Sequence, residues 1–237
     1  MKVSKEVFIY QLTFYPALFP VNCYMIEEKD ELTLVDTALP NSYKGIIETA
    51  QKIGKPLTRI ILTHAHGDHI GSLDKLKEIL PDAMVYISKR DERLLRGDRS
   101  LDVNENKTPI KGGVPKPEMV KTQPDVLLLD GDRIGSLRAI STPGHTPGSM
   151  SFVDERTNAL IAGDAFQTRG GMAVSGHVQV LFPFPAMATW NKKEALKSAK
   201  KLKNQKPSLL AVGHGKMIKQ PASTIECAIL KLEKTIT

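Results

Sequence analysis

Thr63-His64-Ala65-His66-Gly67-Asp68-His69 puts three of the chain's six histidines into seven of its 237 residues. Six histidines spread evenly would leave such a window a fraction of one, so composition does not account for the cluster. Before it, residues 59–62 are apolar enough for a buried strand. After it, Ile70, Leu73, Leu76, Ile79 and Leu80 recur at helical spacing until Pro81 ends the pattern. The motif therefore occupies a strand-to-helix turn, from which side chains converge on a point outside a sheet edge. Imidazole and carboxylate are ligands for zinc, iron or manganese, so the cluster reads as part of a metal site.

Working outward, three more positions offer the same chemistry beside glycine. They are His145 in Pro143-Gly144-His145-Thr146-Pro147-Gly148, Asp164 in Ala162-Gly163-Asp164, and His214 in Val212-Gly213-His214-Gly215. Each follows a predicted strand, at 137–141, 159–162 and 208–212. Glycine lets backbone approach a crowded centre or turn with positive φ. Further strands are predicted at 7–13, 21–27, 31–36, 83–88, 126–129 and 150–154. Helices are predicted at 42–53, opened by Ser42 and ended by Gly54 and Pro56, at 189–203, and from Pro221 onward. Residues 97–124 and 166–188 show no sustained period, and loops of that length in a compact domain are usually functional or disordered. Strands plus helices, given twice with no linker, repeat or low-complexity tract, predict one α/β layered domain over residues 1–237.

Composition narrows the classes. Charged residues at 25% and hydrophobic residues at 41% are those of a globular chain that buries its own core. Apolar runs such as residues 159–162 fall far short of the ~20 residues a membrane span needs. The charged N-terminus lacks the apolar stretch of a secretory signal. Cys23 and Cys227, far apart, read as reduced apolar fillers of a strand and a helix. The expected location is cytoplasmic. Lys and Arg exceed Asp and Glu by 33 − 26 = 7, which favours anionic partners at long range. Much of the excess lies on residues 192–206, where lysines alternate with Ala195, Leu196, Ala199 and Leu202 as on a solvated amphipathic helix face.

Through the seven-residue motif and the later His145, Asp164 and His214, the sequence resembles the metallo-β-lactamase-fold superfamily over essentially its whole length. The resemblance implies a four-layer αββα sandwich with a two-metal site at one edge of the paired sheets. It implies that His64, His66 and His145 hold one metal, that Asp68, His69 and His214 hold the second, and that Asp164 bridges them. It also places Asp36 as outer support, the alternative being a strand-end turn residue. The implied cofactors are two divalent ions, zinc first, with manganese or iron as alternatives. Dizinc β-lactamases are exported and use cysteine where this chain has Asp164, and flavodiiron members use glutamate where it has His66. Glyoxalase II enzymes share the ligand set but continue into a helical part that grips glutathione, whereas 237 − 214 = 23 residues follow His214 here. N-acyl homoserine lactonases end similarly soon, but some place an assisting tyrosine between the bridging Asp and the last ligand. Every tyrosine here lies at Tyr86 or earlier. The glyoxalase II or lactonase-like branch is the expectation, not a true β-lactamase.

The expected activity is metal-dependent hydrolysis of a small ester, lactone or thioester by a hydroxide shared between the metals, with Asp68 orienting it or moving its proton. Three alternatives remain: a phosphodiesterase or ribonuclease of the same fold, a mono-iron persulfide dioxygenase, and a metal-containing binding module without turnover. The positive charge suits the nuclease, but no appended RNA-binding domain and only 5% aromatic residues disfavour a nucleic-acid partner. Expected partners are thus a small-molecule substrate, anionic in one version, and no membrane; the oligomeric state is open. Substrate choice is assigned to the two irregular segments. Met172, Val174, Val180, Leu181, Phe182, Phe184 and Met187 are candidates for an apolar wall, and His177 among them for a proton donor.

Overall fold

Side-chain alternation decides how the strands stack. The structure, a computed structural model, describes residues 1–236. Seven strands cross the first sheet in sequence order: β1 (Lys2–Glu6), β2 (Ile9–Phe14), β3 (Val21–Glu27), β4 (Leu32–Val35), β5 (Leu57–Ile61), β6 (Met84–Ser88) and β7 (Val126–Leu128). Neighbours are antiparallel up to β4 and parallel from β4 to β7. Next come β8 (Arg133–Ile134), β9 (Leu137–Ser141), β10 (Met150–Asp154) and β11 (Ala159–Ile161). The small ladder of β12 (Phe166–Gln167) and β13 (Ala173–Val174) stands apart, and β14 (Leu209–Ala211) and β15 (Ile218–Lys219) follow. The second sheet has the order β15-β14-β11-β10-β9-β8, with β11 and β14 parallel.

Adjacent residues of one strand go to different cores, because successive side chains leave opposite faces. On β3, Cys23 and Met25 pack outward while Tyr24 and Ile26 face the other sheet. On β9 to β14, Leu137, Ala139, Phe152, Ile161 and Ala211 fill the space between sheets, while Ile140, Val153, Leu160 and Leu210 face outward. Outside the first sheet lie α1 (Tyr43–Ile53), α2 (Gly67–Ile70), α3 (Leu73–Ile79) and α4 (Glu92–Leu95), through Ile46, Ile70, Leu73, Leu76 and Leu94. After α5 (Phe184–Ala188), the helices α6 (Lys192–Lys203) and α7 (Ala222–Ile236) cover the second sheet through Ala199, Leu202, Ile225 and Ile229. The four layers are helix, sheet, sheet, helix.

Several elements differ from the sequence pattern. The single helix predicted over 70–80 is two, because Gly71 N–H donates to Ala38 O (2.8 Å) and the Ser72 hydroxyl to Leu39 O, which turns the chain. The helix expected from 189 starts at Lys192, because the Asn191 side chain accepts from the N–H groups of Lys193 and Glu194. Ser42 sits at its helix start but makes no side-chain cap. The short strands β1, β8 and β15 and the helix α4 carry no usable periodicity. The lysine face of α6 is largely paired: Lys200 with Glu233, Lys201 with Asp130, Lys203 with Glu226 and Lys197 with Glu194. Cys23 is buried as expected, whereas Cys227 lies on the exposed side of α7 and fills no core. Among the described residues, no helix is long and apolar enough to cross a membrane.

Candidate metal centre

Every histidine and aspartate that the sequence singled out as a ligand arrives at the same rim of the sandwich. His64 to His69 follow β5, His145 follows β9, Asp164 lies in a 3-10 turn after β11, and His214 follows β14. Two ties carry the second sheet's loops to the first sheet. Asn22 donates from its side chain to Val212 O (2.7 Å) and to Gly215 O (2.8 Å), and the Tyr24 hydroxyl donates to Val212 O (2.6 Å). Met150 N–H donates to Thr63 O at 2.8 Å, so the two rims are stitched before any side chain meets. Gly213 is required by space, since a Cβ there would lie 2.0 Å from Asp164 Oδ1.

The side chains form overlapping donor sets: His64, His66 and His145; His64, His69 and Asp164; Asp68, His69 and His214, with donor atoms inside each set within 4.8 Å of one another. Asp164 lies between the halves, 3.4 Å from His145 Nε2, 3.2 Å from His214 Nε2 and 3.5 Å from His69 Nε2. Asp68 Oδ2 is 3.4 Å from His214 Nε2. The outer nitrogen of each ring is occupied, which aims the inner one. His64 Nδ1 meets the Thr63 hydroxyl (2.9 Å), His69 Nδ1 meets Asp36 Oδ2 (2.8 Å), and His214 Nδ1 donates to Pro20 O (2.7 Å). His145 Nδ1 lies between the hydroxyls of Ser175 and Thr189. His66 is reversed: its Nε2 donates to Lys111 O (3.1 Å) and its Nδ1 faces His145 Nε2 at 3.0 Å.

Asp36 also accepts from the Thr63 N–H and hydroxyl, both at 2.8 Å. It is therefore an orienting carboxylate for His69 and not merely a turn residue, the arrangement that fixes a ligand's tautomer.

Electrostatics splits the cluster. Burial, reinforced by the neighbouring histidines, holds His64 well below its ordinary pKa; burial lowers His66 and takes His145 down to about 3. These three present neutral nitrogens. In the other half burial opposes charge, but Asp164 and its companions win, raising His69 well above the ordinary value and His214 to about 10. The same pairs hold Asp164 and Asp68 below the usual carboxylate range despite burial. His64 Nε2, His69 Nε2 and Asp164 Oδ1 are buried and make no hydrogen bond within the protein. Each such orphan costs about 1–3 kcal/mol unless something occupies the space between them. Orphaned inward donors, neutral imidazoles and ionised carboxylates fit divalent cations.

Residues 16–214 match the family model of the metallo-β-lactamase superfamily. The chain belongs to the metallo-β-lactamase superfamily. Within the superfamily it is 59% identical to YobT of Bacillus subtilis (strain 168) over 99% of this chain and 100% of that one. It is 32% identical to the probable metallo-hydrolase YflN of the same organism over 82% and 80% of the two chains. Among solved structures it resembles TTHA1623 in a di-iron-bound form, with a TM-score of 0.65, 26% identity, and coverage of 90% of this chain and 96% of that one.

Some participants were not legible in the sequence. Phe19, from the turn before β3, lines the cleft beside the donors, as do Gly112 and Gly113. Asp91, Trp190 and the Lys111 carbonyl support the cluster with no motif to announce them. Of the predicted apolar wall only Phe184 and Met187 line the cleft. Phe182 packs behind Phe184, Met172 and Val174 belong to the outer core of the second sheet, and Val180 and Leu181 are exposed. His177 does not line the cleft; it lies near Lys192 and Lys231, away from where a candidate proton donor would have to stand.

Proposed function

We propose that this protein is a binuclear metallohydrolase that cleaves a small ester, lactone or thioester. The observation that carries the reading is the joined pair of donor sets, with Asp164 between them and a cleft of about 360 Å³ at their side. Two divalent cations, when bound, supply water of lowered pKa and an electrophilic contact for a carbonyl oxygen. His64, His66 and His145 would hold one and Asp68, His69 and His214 the other, with Asp164 between the two sets. Zinc suits these nitrogen and oxygen donors; iron is the second reading, because TTHA1623 has a di-iron-bound form.

The residues divide the remaining work. Asp68 is the more exposed of the two cleft-lining carboxylates, and its oxygen not turned to His214 orients the attacking water and accepts its proton. Water adds to the acyl carbon, the carbon–oxygen or carbon–sulfur bond breaks, and an acid and an alcohol or thiol leave. Asp36 prevents His69 from rotating, and the Lys111 carbonyl does the same for His66. The ion-paired lysine face of α6 weakens the nuclease alternative, the second donor set weakens the mono-iron one, and an open cleft weakens a purely structural role. Two unpaired cysteines suit a reducing cytoplasm.

A thioester, a lactone and bis-p-nitrophenyl phosphate assayed on zinc-, manganese- and iron-loaded protein test the reading. About two metals per chain and turnover of an acyl substrate are expected, with metal content reduced and turnover lost in His66→Ala and Asp164→Ala. Full activity in metal-stripped protein overturns it.

A further inference from the structure

Beside the donors, the cleft is lined by Phe19, Phe184, Pro185 and Met187. Among the described residues no lysine or arginine lines it, although the chain carries 33. Phe19, Phe182 and Phe184 meet pairwise with ring centroids 5.1–5.2 Å apart. Phe19 and Phe182 also pack on the His214 imidazole at 5.5 and 5.4 Å. The apolar wall therefore begins at the donor cluster itself, against the His214 ring.

Within this wall the exposure is uneven. Phe182 is buried, whereas Phe184 is 51% and Met187 66% exposed. They lie three residues apart on α5, one helical face, while Pro185 and Ala186 of the same helix are buried and anchor it. Large apolar groups held in water on a fixed support beside a reactive centre make a surface for an apolar ligand.

We infer that the reacting acyl group is uncharged and carries an apolar arm that lies on Phe19, Phe184 and Met187, so that Phe184 and Met187 set the chain-length preference. The inference rests on the hydrolase reading and narrows it. A substrate recognised by a remote carboxylate, such as a glutathione thioester, finds no ammonium or guanidinium partner in this cleft. The net positive charge of the chain lies elsewhere and does not select an anion here.

The test measures kcat/KM for acetyl, butyryl and octanoyl thioesters of N-acetylcysteamine and for the same acyl groups on glutathione, with metal-loaded protein. Each methylene laid on the wall raises kcat/KM by about fourfold, and the uncharged thioester exceeds the glutathione thioester of equal acyl length. In Phe184→Ala and Met187→Ala the octanoyl-to-acetyl ratio falls about tenfold. Calorimetric titration with octanohydroxamate and acetohydroxamate reads the same preference without turnover. Turnover independent of chain length, or a preference for glutathione thioesters, overturns the inference and leaves the hydrolase reading standing. If no acyl substrate is hydrolysed the hydrolase reading fails, and equal hydroxamate affinities then overturn the wall as well.

Discussion

Asp91 is fully buried, yet it binds two of the ligand-bearing loops at once. The Ala65 N–H (3.1 Å) and the Thr146 hydroxyl (2.7 Å) donate to one carboxylate oxygen and the Gly148 N–H (2.8 Å) to the other, while Asp91 N–H donates to Ser88 Oγ. Ala65 stands between two histidines of the motif, and Thr146 and Gly148 flank His145 on its far side. Burial outweighs these hydrogen bonds and pushes the Asp91 carboxyl up to about 6. A group whose pKa is higher folded than unfolded gives the folded state extra protons between the two values, so its stabilising contribution falls as pH rises through them. With an unfolded value of about 3.9, wild-type stability relative to Asp91→Asn should decline by on the order of 2 kcal/mol from pH 4 to pH 7, then level off. Urea unfolding of both proteins across that range measures it, and a constant difference would be the wrong result.

The segment 108–114 shows what an irregular element does. Ile110 and Val114 are buried in the same core as Trp190, and Trp190 Nε1 donates to Thr108 O at 2.7 Å. Trp190 N–H donates to His145 O (2.9 Å), so one indole residue joins the His145 loop to the segment whose Lys111 carbonyl aims His66. Gly112 lies between, with φ of +82°, and a Cβ there would come within 2.4 Å of His66 Nε2. Gly112→Ala strains the backbone and pushes the imidazole off its line. Elemental analysis should show bound metal falling from about two per chain toward one, with far-UV circular dichroism unchanged; two metals retained would mean that the segment does not place His66. The periodicity of 97–124 is silent on all this, because a carbonyl acceptor carries no side-chain signature.

At the scale of the whole molecule, His64, His66, Asp68 and His69 belong to the first sheet's rim and His145, Asp164 and His214 to the second's, so cations held between them would also fasten sheet to sheet. Ligand binding to the folded state alone stabilises by about 2.7 kcal/mol at a hundred times Kd. For a chain of this length that is roughly 5–10 °C in Tm. Thermal denaturation followed by circular dichroism, with and without chelator, should show that drop and its recovery on adding metal back; an unchanged Tm would remove the fastening role. The sequence by itself determined the ligand types, the strand-to-turn placement of the motif and the layered α/β class, because histidine chemistry and side-chain alternation are local properties written at fixed spacing. Only the tertiary structure decided which ring nitrogen faces inward, that Asp36 orients His69, that Asp91 and Trp190 brace the loops, that His177 stands away from the cleft, and that Phe19 completes its wall. Those facts depend on contacts between residues far apart in the chain, set by how two sheets pack, and no spacing within one segment encodes them.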